Sequence, residues 1–485
     1  MKYKAVSTLV LLATLLPLSL AASVRAQEQA PKPRYNVLFL MADDLRPELG
    51  SYGAPVKTPN LDALAKSGVR FERAYCQYPL CNPSRSSLLT GRYPQQTGVL
   101  DNQGDLRQLH PDWVTLPQHF KNNGYSTLAT GKIYHGGLEA DLSWTEGGQR
   151  KKATQEALYA LADPDDALPT SIAQQPRPTP QQQRDRKANS DKIIVLPGKG
   201  DTHADNKIAE QTMDYLTRYK DKRFFLACGF QKPHSPPTAP QSFFDLYEVS
   251  KMELPTNFAP RPTVAPGFPT PSLVPNYDLF IERDATPEQA KEMLRAYRAS
   301  TSWVDWNVGR VLGKLDELGL REKTIIVLWG DHGYHLGEWG KWSKHGSLYE
   351  VGARVPLLVV MPGAKGNGKS SPRIVETLDL YKTLCELGGI PVPAGVEGAS
   401  LVPLLKDPTM RWDRPAFTVA GQGKNVHIAV RWDRWRYAEY ANGQAMLIDE
   451  VADPKETKNL ADDPMHATMR EKLAGMLRAY RAKVK

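Results

Sequence analysis

The sequence predicts an α/β protein, a wound central sheet with helices on its faces followed by a smaller β-rich C-terminal part. Three observations carry this. Continuous apolar runs, "NVLFLM" from Asn36, "FFLACGF" from Phe224 and "TIIVLWG" from Thr324, fit strands covered on both faces, and each ends at polar residues. Helical patterns lie between them, as in "TPNLDALAKS" (Thr58 to Ser67) and from about Glu288 to Leu318. After about Pro391 short β-rich segments alternate with turns. With 485 residues, 24% charged and 41% hydrophobic, the chain can bury a large core.

Taken in order, residues 1–26 read as a signal peptide. Lys2 and Lys4 precede an apolar run from Val6 to about Ala22, and a small-x-small pattern places cleavage after Ala26. Pro17 and interspersed Ser and Thr interrupt the run, which disfavours a membrane anchor, and no cysteine follows it as a lipoprotein would need. An exported protein, periplasmic or secreted, is expected, with no stable membrane insertion. Without Lys2, Lys4 and Arg25 the formal charge of +9 becomes +6, which suits an anionic substrate; a nucleic-acid partner is not expected. The four cysteines, Cys76, Cys81, Cys228 and Cys385, are too few for a disulfide scaffold and form no metal-type CxxC pair.

The first strand, Val37 to Met41, runs into Asp43 and Asp44, and Gly68 stops the helix that follows. "TLPQHFKNNGYSTLATGK" reads as helix, glycine turn and strand. Thr145 to Gly200, rich in Gln, Pro and charge, reads as a surface insertion poor in regular structure. Proline-rich Leu254 to Asn276 should run extended across a surface. Residues 27–369 are expected to form the α/β catalytic domain and residues 370–485 a smaller subdomain. In the latter, "VHIAVRWDRWRYAEYANGQAMLIDE" is an antiparallel meander with a turn at Asn442, and a helix closes the chain.

The chemistry gathers at strand ends. Asp43-Asp44 and Asp331-His332 each follow an apolar strand, and adjacent carboxylates there need compensation. A hard cation, Ca²⁺ or Mg²⁺, would supply it; a helix cap or surface turn is the plainer reading of the Asp pair. Lys132 and His135 in "TGKIYHGG", His234 in "GFQKPHSPP" and Lys344 in "GKWSKHG" also lie just beyond strand ends. With Arg85 they could hold a tetrahedral anion and move protons. Cys81, in "CNPSRSSLLTGR", could pair with Cys76, act as a thiol, or be converted to another group. The residues alone leave that open.

Cys81-Asn82-Pro83-Ser84-Arg85 with the downstream "TGR" resembles the signature of formylglycine-dependent type I sulfatases, and Asp43-Asp44, "TGK" and "DHG" occur in that family's order. The resemblance extends over about Tyr35 to Asp463. It looks similar to iduronate-2-sulfatases in "NVLFLMADDLRPELGSYG", "GKIYHGG", "GFQKPHSPP" and "DHGYHLGEWGKWSKHG". It implies an alkaline-phosphatase-like fold with a large mixed sheet and a C-terminal antiparallel sheet. It implies that a formylglycine-generating maturation enzyme oxidises Cys81 to Cα-formylglycine, whose gem-diol attacks sulfur and later expels sulfate by C–O cleavage. Asp43, Asp44, Asp331, His332 and residue 81 would hold the metal, Ca²⁺ with Mg²⁺ as the alternative. Arg85 would orient the gem-diol, Lys132 and Lys344 would grip sulfate, His234 would be the acid to the leaving alcohol and His135 the base for the sulfated intermediate. His345 stands where the animal enzymes lead one to expect tyrosine, so the substrate-binding rim is expected to differ there.

The reading that follows is an exported sulfatase acting on a sulfated oligo- or polysaccharide, 2-O-sulfated uronic acid being the favoured target. The alternatives are another sulfated polysaccharide such as an algal glycan, a phosphonate or phosphate monoester hydrolase of the same superfamily, or a non-catalytic glycan-binding protein.

Overall fold

A computed structural model describes Met1 and residues 35–138, 140–148 and 180–484. The expected leader, apart from Met1, and residues 149–179 of the expected insertion lie outside the described residues. Among the described residues no helix is long and apolar enough to cross a membrane.

The strands of the first part are β1 (Asn36–Asp43), β2 (Val69–Tyr75), β3 (Ser126–Gly131), β4 (Glu146–Gly147), β5 (Ile194–Leu196), β6 (Phe224–Pro233), β7 (Thr238–Pro240), β8 (Thr324–Gly330), β9 (Arg354–Val360) and β10 (Ser370–Glu376). Eight of them form one sheet in the order β10-β2-β9-β8-β1-β6-β3-β4. β9 runs against both of its neighbours and every other pair is parallel, so the sheet is mixed. β5 and β7 pair separately.

All eight residues of β1 are buried, as a central strand between two helical layers requires. Its side chains alternate between two cores. Val37, Phe39 and Met41 pack with Leu88 and Leu89 of α2 (Cys81–Thr90) and with Phe120 of α3 (Leu116–Asn122). Leu38, Leu40 and Ala42 face Leu61 and Leu64 of α1 (Pro59–Ser67) and the helices Ala204–Arg218 and Pro287–Glu317. The last of these starts cleanly. The Thr286 hydroxyl accepts from the Gln289 amide at 3.2 Å, the Gln289 side chain accepts from the Thr286 amide at 3.0 Å, and Pro287 takes the first position.

Part of the expected insertion is regular. Pro180–Ala188 is helical, and Ile194–Leu196 is a strand because it finds an extended partner in Thr238–Pro240. Composition pointed to loop there, and long-range pairing overrides it. Leu254 to Asn276 carries a short turn at Thr270–Ser272 and an isolated bridge from Phe258 to Glu338.

A second sheet, β11 (Ala416–Ala420), β12 (His427–Trp432), β13 (Trp435–Glu439) and β14 (Ala445–Asp449), is the antiparallel meander. Its Asn442-Gly443 turn has Gly443 at φ 83°. One face packs on Leu473, Leu477 and Tyr480 of the C-terminal helix Ala467–Lys483. The other meets Phe268, Leu348 and Tyr349. Buried Arg436 holds the contact, paired with Glu350, with Glu450 at 2.7 Å and with Glu456 at 3.1 Å.

Candidate active site

Sheet topology builds the site. β8, β1, β6 and β3 are adjacent and parallel, with Trp329 opposite Met41, Met41 opposite Gly229 and Gly229 opposite Gly131. Residues that follow these positions therefore leave the sheet at one edge: Asp331 and His332, Asp43 and Asp44, His234, and Lys132. Ligand chemistry on parallel sheets collects at this carboxyl edge.

Two backbone features aim the side chains. Asp44 is left-handed at φ 60°, a conformation unusual outside glycine. Tyr297 holds it from the long helix: its hydroxyl donates to the Asp44 carbonyl at 2.7 Å and accepts from the Arg46 amide at 3.1 Å. Gly131 is at φ 69°, and a Cβ there would meet the Gly229 carbonyl oxygen at 2.1 Å. The glycine of "TGK" thus lets the chain turn tightly and bring Lys132 inward.

Cys81 is the first residue of α2, whose ten residues are all buried. Pro83 sits in the first turn, where no intrahelical donor is lost. The motif then reads as a docking pattern. The Asn82 side chain donates to the carbonyls of Asp101 at 2.9 Å and Gly104 at 2.8 Å. Ser84 Oγ donates to the Asp331 carbonyl. Arg85 Nε donates to Asp331 Oδ2 at 3.0 Å, and its Nη1 donates to the Lys132 carbonyl at 2.5 Å. The downstream "TGR" ends the helix instead of joining the site. Gly91 is left-handed, its Cβ position is filled by Val396 and Tyr381, and Arg92 donates to the Gly395 carbonyl at 2.7 Å.

Around Cys81 the charges interlock. Its Sγ donates to Asp43 Oδ1 at 3.3 Å and lies 3.2 Å from His332 Nε2. Lys132 Nζ is 2.6 Å from Asp43 Oδ2, and Arg85 Nη2 is 2.9 Å from Asp331 Oδ2 and 3.6 Å from Asp43 Oδ1. Lys344 Nζ lies 3.3 Å from Asp44 Oδ1 and 2.9 Å from His234 Nε2. Burial would raise the Asp43 carboxyl, but Lys132 and Arg85 together hold it well below the usual carboxylate range. Burial first, then Asp43, pushes the Cys81 thiol well above its ordinary value. As a free cysteine it is therefore a neutral, poorly nucleophilic group. All four cysteines are free and buried, so the Cys76–Cys81 bridge is absent.

The donor set fits a hard divalent cation. Ligand atoms of Asp43, Cys81, Asp331 and His332 all lie within 4.8 Å of one another, and a second grouping joins Asp43, Asp44, Cys81 and His234. Asp44 Oδ1 is buried and, apart from the Lys344 ion pair, accepts no hydrogen bond among the described residues. His332 Nδ1 faces the Gly333 carbonyl at 2.9 Å and so carries the proton, leaving the Nε2 lone pair aimed into the cluster.

Of the residues expected from sequence, Asp43, Asp44, Cys81, Arg85, Lys132, His234, Asp331, His332 and Lys344 come together through these contacts. His135 is buried in the loop after β3, and His345 is exposed at the rim, its ring 5.0 Å from that of Tyr277. Sequence reasoning missed Asp278, whose Oδ2 lies 3.2 Å from Lys344 Nζ, and Tyr297. Asp278 stands in "PNYDLF", where nothing but the folded path marks it. A separate cavity of about 680 Å³ lies beyond Arg46 and Glu338, and none of the candidate catalytic side chains lines it.

Residues 35–390 match the Sulfatase family, and residues 337–483 match the family described as N-sulphoglucosamine sulphohydrolase, C-terminal. The iduronate 2-sulfatase of Mus musculus is 32% identical over 430 residues, covering 77% of this chain and 72% of that protein. The ulvan-active sulfatase of Formosa agariphila is 31% identical over 493 residues, covering 98% of this chain and 87% of that protein. Among solved structures, the phosphonate monoester hydrolase of Agrobacterium radiobacter superposes with a TM-score of 0.72 at 22% identity, covering 93% of this chain and 96% of that one. This likeness fixes the fold as alkaline-phosphatase-like.

Proposed function

Because the chain belongs to the sulfatase family, and with it to the sulfuric ester hydrolases, we propose that it releases sulfate from a sulfated glycan whose favoured target is a 2-O-sulfated uronic acid, using a formylglycine made from Cys81. The observation that carries this is the closed charge cluster that surrounds Cys81 at the head of α2. The substrate choice rests on the extended similarity to iduronate 2-sulfatase. An algal polysaccharide is the second reading, favoured by the likeness to the ulvan-active enzyme.

Cys81 Sγ stands in for the formylglycine oxygens, and the converted residue would supply the attacking hydroxyl. A Ca²⁺ or Mg²⁺ held by Asp43, Asp44, Asp331 and His332 would polarise that hydroxyl and the sulfate ester. Arg85 pairs with Asp331, helps hold the Asp43 carboxyl ionised and directs positive charge at residue 81. Lys132 and Lys344 bind sulfate oxygens from two sides of the cluster. His234 Nδ1 faces the Ser235 carbonyl at 2.7 Å and so carries one proton. Its Nε2 accepts from the Lys344 ammonium at 2.9 Å, and once Lys344 turns to the sulfate, Nε2 is the atom from which His234 would deliver a proton to the departing alcohol oxygen. His135 takes the proton released when the sulfated residue 81 collapses. Export through a cleaved leader completes the proposal; the boundary expected near Ser370 moves to after β10, because Ser370–Glu376 pairs with β2 in the large sheet.

The test is sulfate release from defined disaccharides bearing uronate 2-O-sulfate, hexosamine 6-O-sulfate or galactose sulfate, using protein co-produced with a formylglycine-generating enzyme. Release confined to the uronate 2-O-sulfates supports the assignment. Release only from another sugar overturns the substrate, and turnover of aryl phosphonate without any sulfate ester overturns the reaction.

A further inference from the structure

Beyond the sulfate-binding cluster the proline-rich strap delivers two side chains to the rim. Asn276 Oδ1 accepts from the Trp342 amide at 2.8 Å, and the Leu279 amide donates to the Trp342 carbonyl at 3.3 Å. These bonds clamp residues 276–279 alongside Trp342 to Lys344, the segment that carries a catalytic lysine. Buried Lys341 fixes the same strap, donating to the Val274 carbonyl at 3.1 Å. Between the clamps stand Tyr277, 45% exposed with its ring against His345, and Asp278, whose side chain is only 1% exposed. Asp278 Oδ2 lies 3.2 Å from Lys344 Nζ yet accepts no hydrogen bond among the described residues.

A buried carboxylate with an open acceptor, set beside an exposed aromatic edge, matches what a sugar presents: hydroxyl donors around the ring and an apolar C–H face. Lys344 fixes the location. It lies 2.9 Å from His234 Nε2, the proposed acid to the departing oxygen, and 3.2 Å from Asp278 Oδ2, which puts the carboxylate within reach of a group on the ring atoms next to that oxygen. We infer that Asp278 accepts a hydrogen bond from the hydroxyl vicinal to the sulfate ester, and that Tyr277 with His345 supports the same ring. This rests on the sulfatase reading above and deepens it. It selects esters with a free neighbouring hydroxyl, such as the 3-hydroxyl of a 2-O-sulfated sugar, over esters without one.

The experiment measures kcat/KM for the sulfated sugar that the converted wild-type enzyme cleaves best and for its analogue lacking the vicinal hydroxyl, in wild type and in Asp278→Asn. In wild type the missing hydroxyl costs about 10- to 100-fold, as expected for a hydrogen bond to a charged acceptor. In Asp278→Asn, whose neutral Oδ1 accepts more weakly, the same deletion costs at least about 3-fold less than in wild type. Equal losses in both enzymes, or a wild type indifferent to the hydroxyl, overturn the inference, and in either case the sulfatase reading survives. A converted wild type that cleaves no sulfate ester overturns both. Tyr277→Ala provides a second readout on an exposed position, where the fold is not at stake. It should raise KM for the sugar ester at least 5-fold more than for an aryl sulfate, and an equal change for the two contradicts the subsite.

Discussion

Arg85→Leu removes the guanidinium that holds two buried carboxylates. Its Nη2 lies 2.9 Å from Asp331 Oδ2 and 3.6 Å from Asp43 Oδ1, and the Arg85 side chain is 0% exposed. At an effective dielectric near 20 these pairs are worth roughly 6 and 5 kcal/mol of gross attraction. Desolvation offsets much of that, and breaking one side of a buried pair costs about 3–5 kcal/mol net because the partner charge stays behind. The assay is urea unfolding in excess chelator, followed by tryptophan fluorescence. At a slope of roughly 3 kcal/mol per molar the midpoint should fall by about 1 to 1.7 M. Millimolar Ca²⁺ should return part of the loss by binding the folded state. Arg92→Leu is the contrast. That guanidinium meets a carbonyl and the Trp113 face, 4.2 Å from the ring centroid, and its loss should cost no more than about 1 kcal/mol. If both variants unfold alike, the carboxylates do not depend on Arg85 and the electrostatic account of the site fails.

Gly131→Ala should cost at least about 2 kcal/mol and depress sulfate release, because a Cβ cannot fit against the Gly229 carbonyl at φ 69°; a fully active, equally stable variant refutes that geometry. Glu376, buried and close to Asp379, is pushed up to about 8 while it accepts from the Tyr93 hydroxyl at 2.8 Å and the Phe417 amide at 2.9 Å. A raised carboxyl pKa stabilises the fold fully below about 4.5, and that contribution is lost as pH rises through about 8. Glu376→Gln should accordingly raise the melting temperature at pH 8 far more than at pH 5, and equal shifts at both count against the coupling. Thiol titration in denaturant without reductant should find four thiols per unconverted chain and three after conversion; two instead of four in the unconverted chain would restore the Cys76–Cys81 bridge.

The strands bearing Asp43, Lys132, His234 and Asp331 were legible because each couples a buried apolar run to an abrupt polar end, and burial on both faces leaves no other pattern. Their order in the sheet was not. The adjacency of β8, β1, β6 and β3 is a long-range pairing that no local window records, though the family resemblance implied its result. Cys81 and Arg85 were legible through a compact motif. The structure adds why Ser84 belongs to it, since Ser84 docks on the Asp331 backbone, and why "TGR" serves the helix end. Tyr297 was invisible as one aromatic in a long amphipathic helix. Asp278 was invisible because proline-rich segments carry no periodicity, and only the clamp against Trp342 brings it beside Lys344. The strand Ile194–Leu196 escaped for a related reason, since its partner lies more than 40 residues away in sequence.

The central claim is that residue 81 acts as formylglycine within this cluster, and one measurement bears on it directly. Batches of protein made with increasing amounts of a formylglycine-generating enzyme would be assayed for sulfate release, with conversion of residue 81 quantified by mass spectrometry of its peptide. The account predicts a rate proportional to the converted fraction, reaching zero at zero conversion and absent in Cys81→Ala. A rate independent of conversion, or retained by Cys81→Ala, would contradict it.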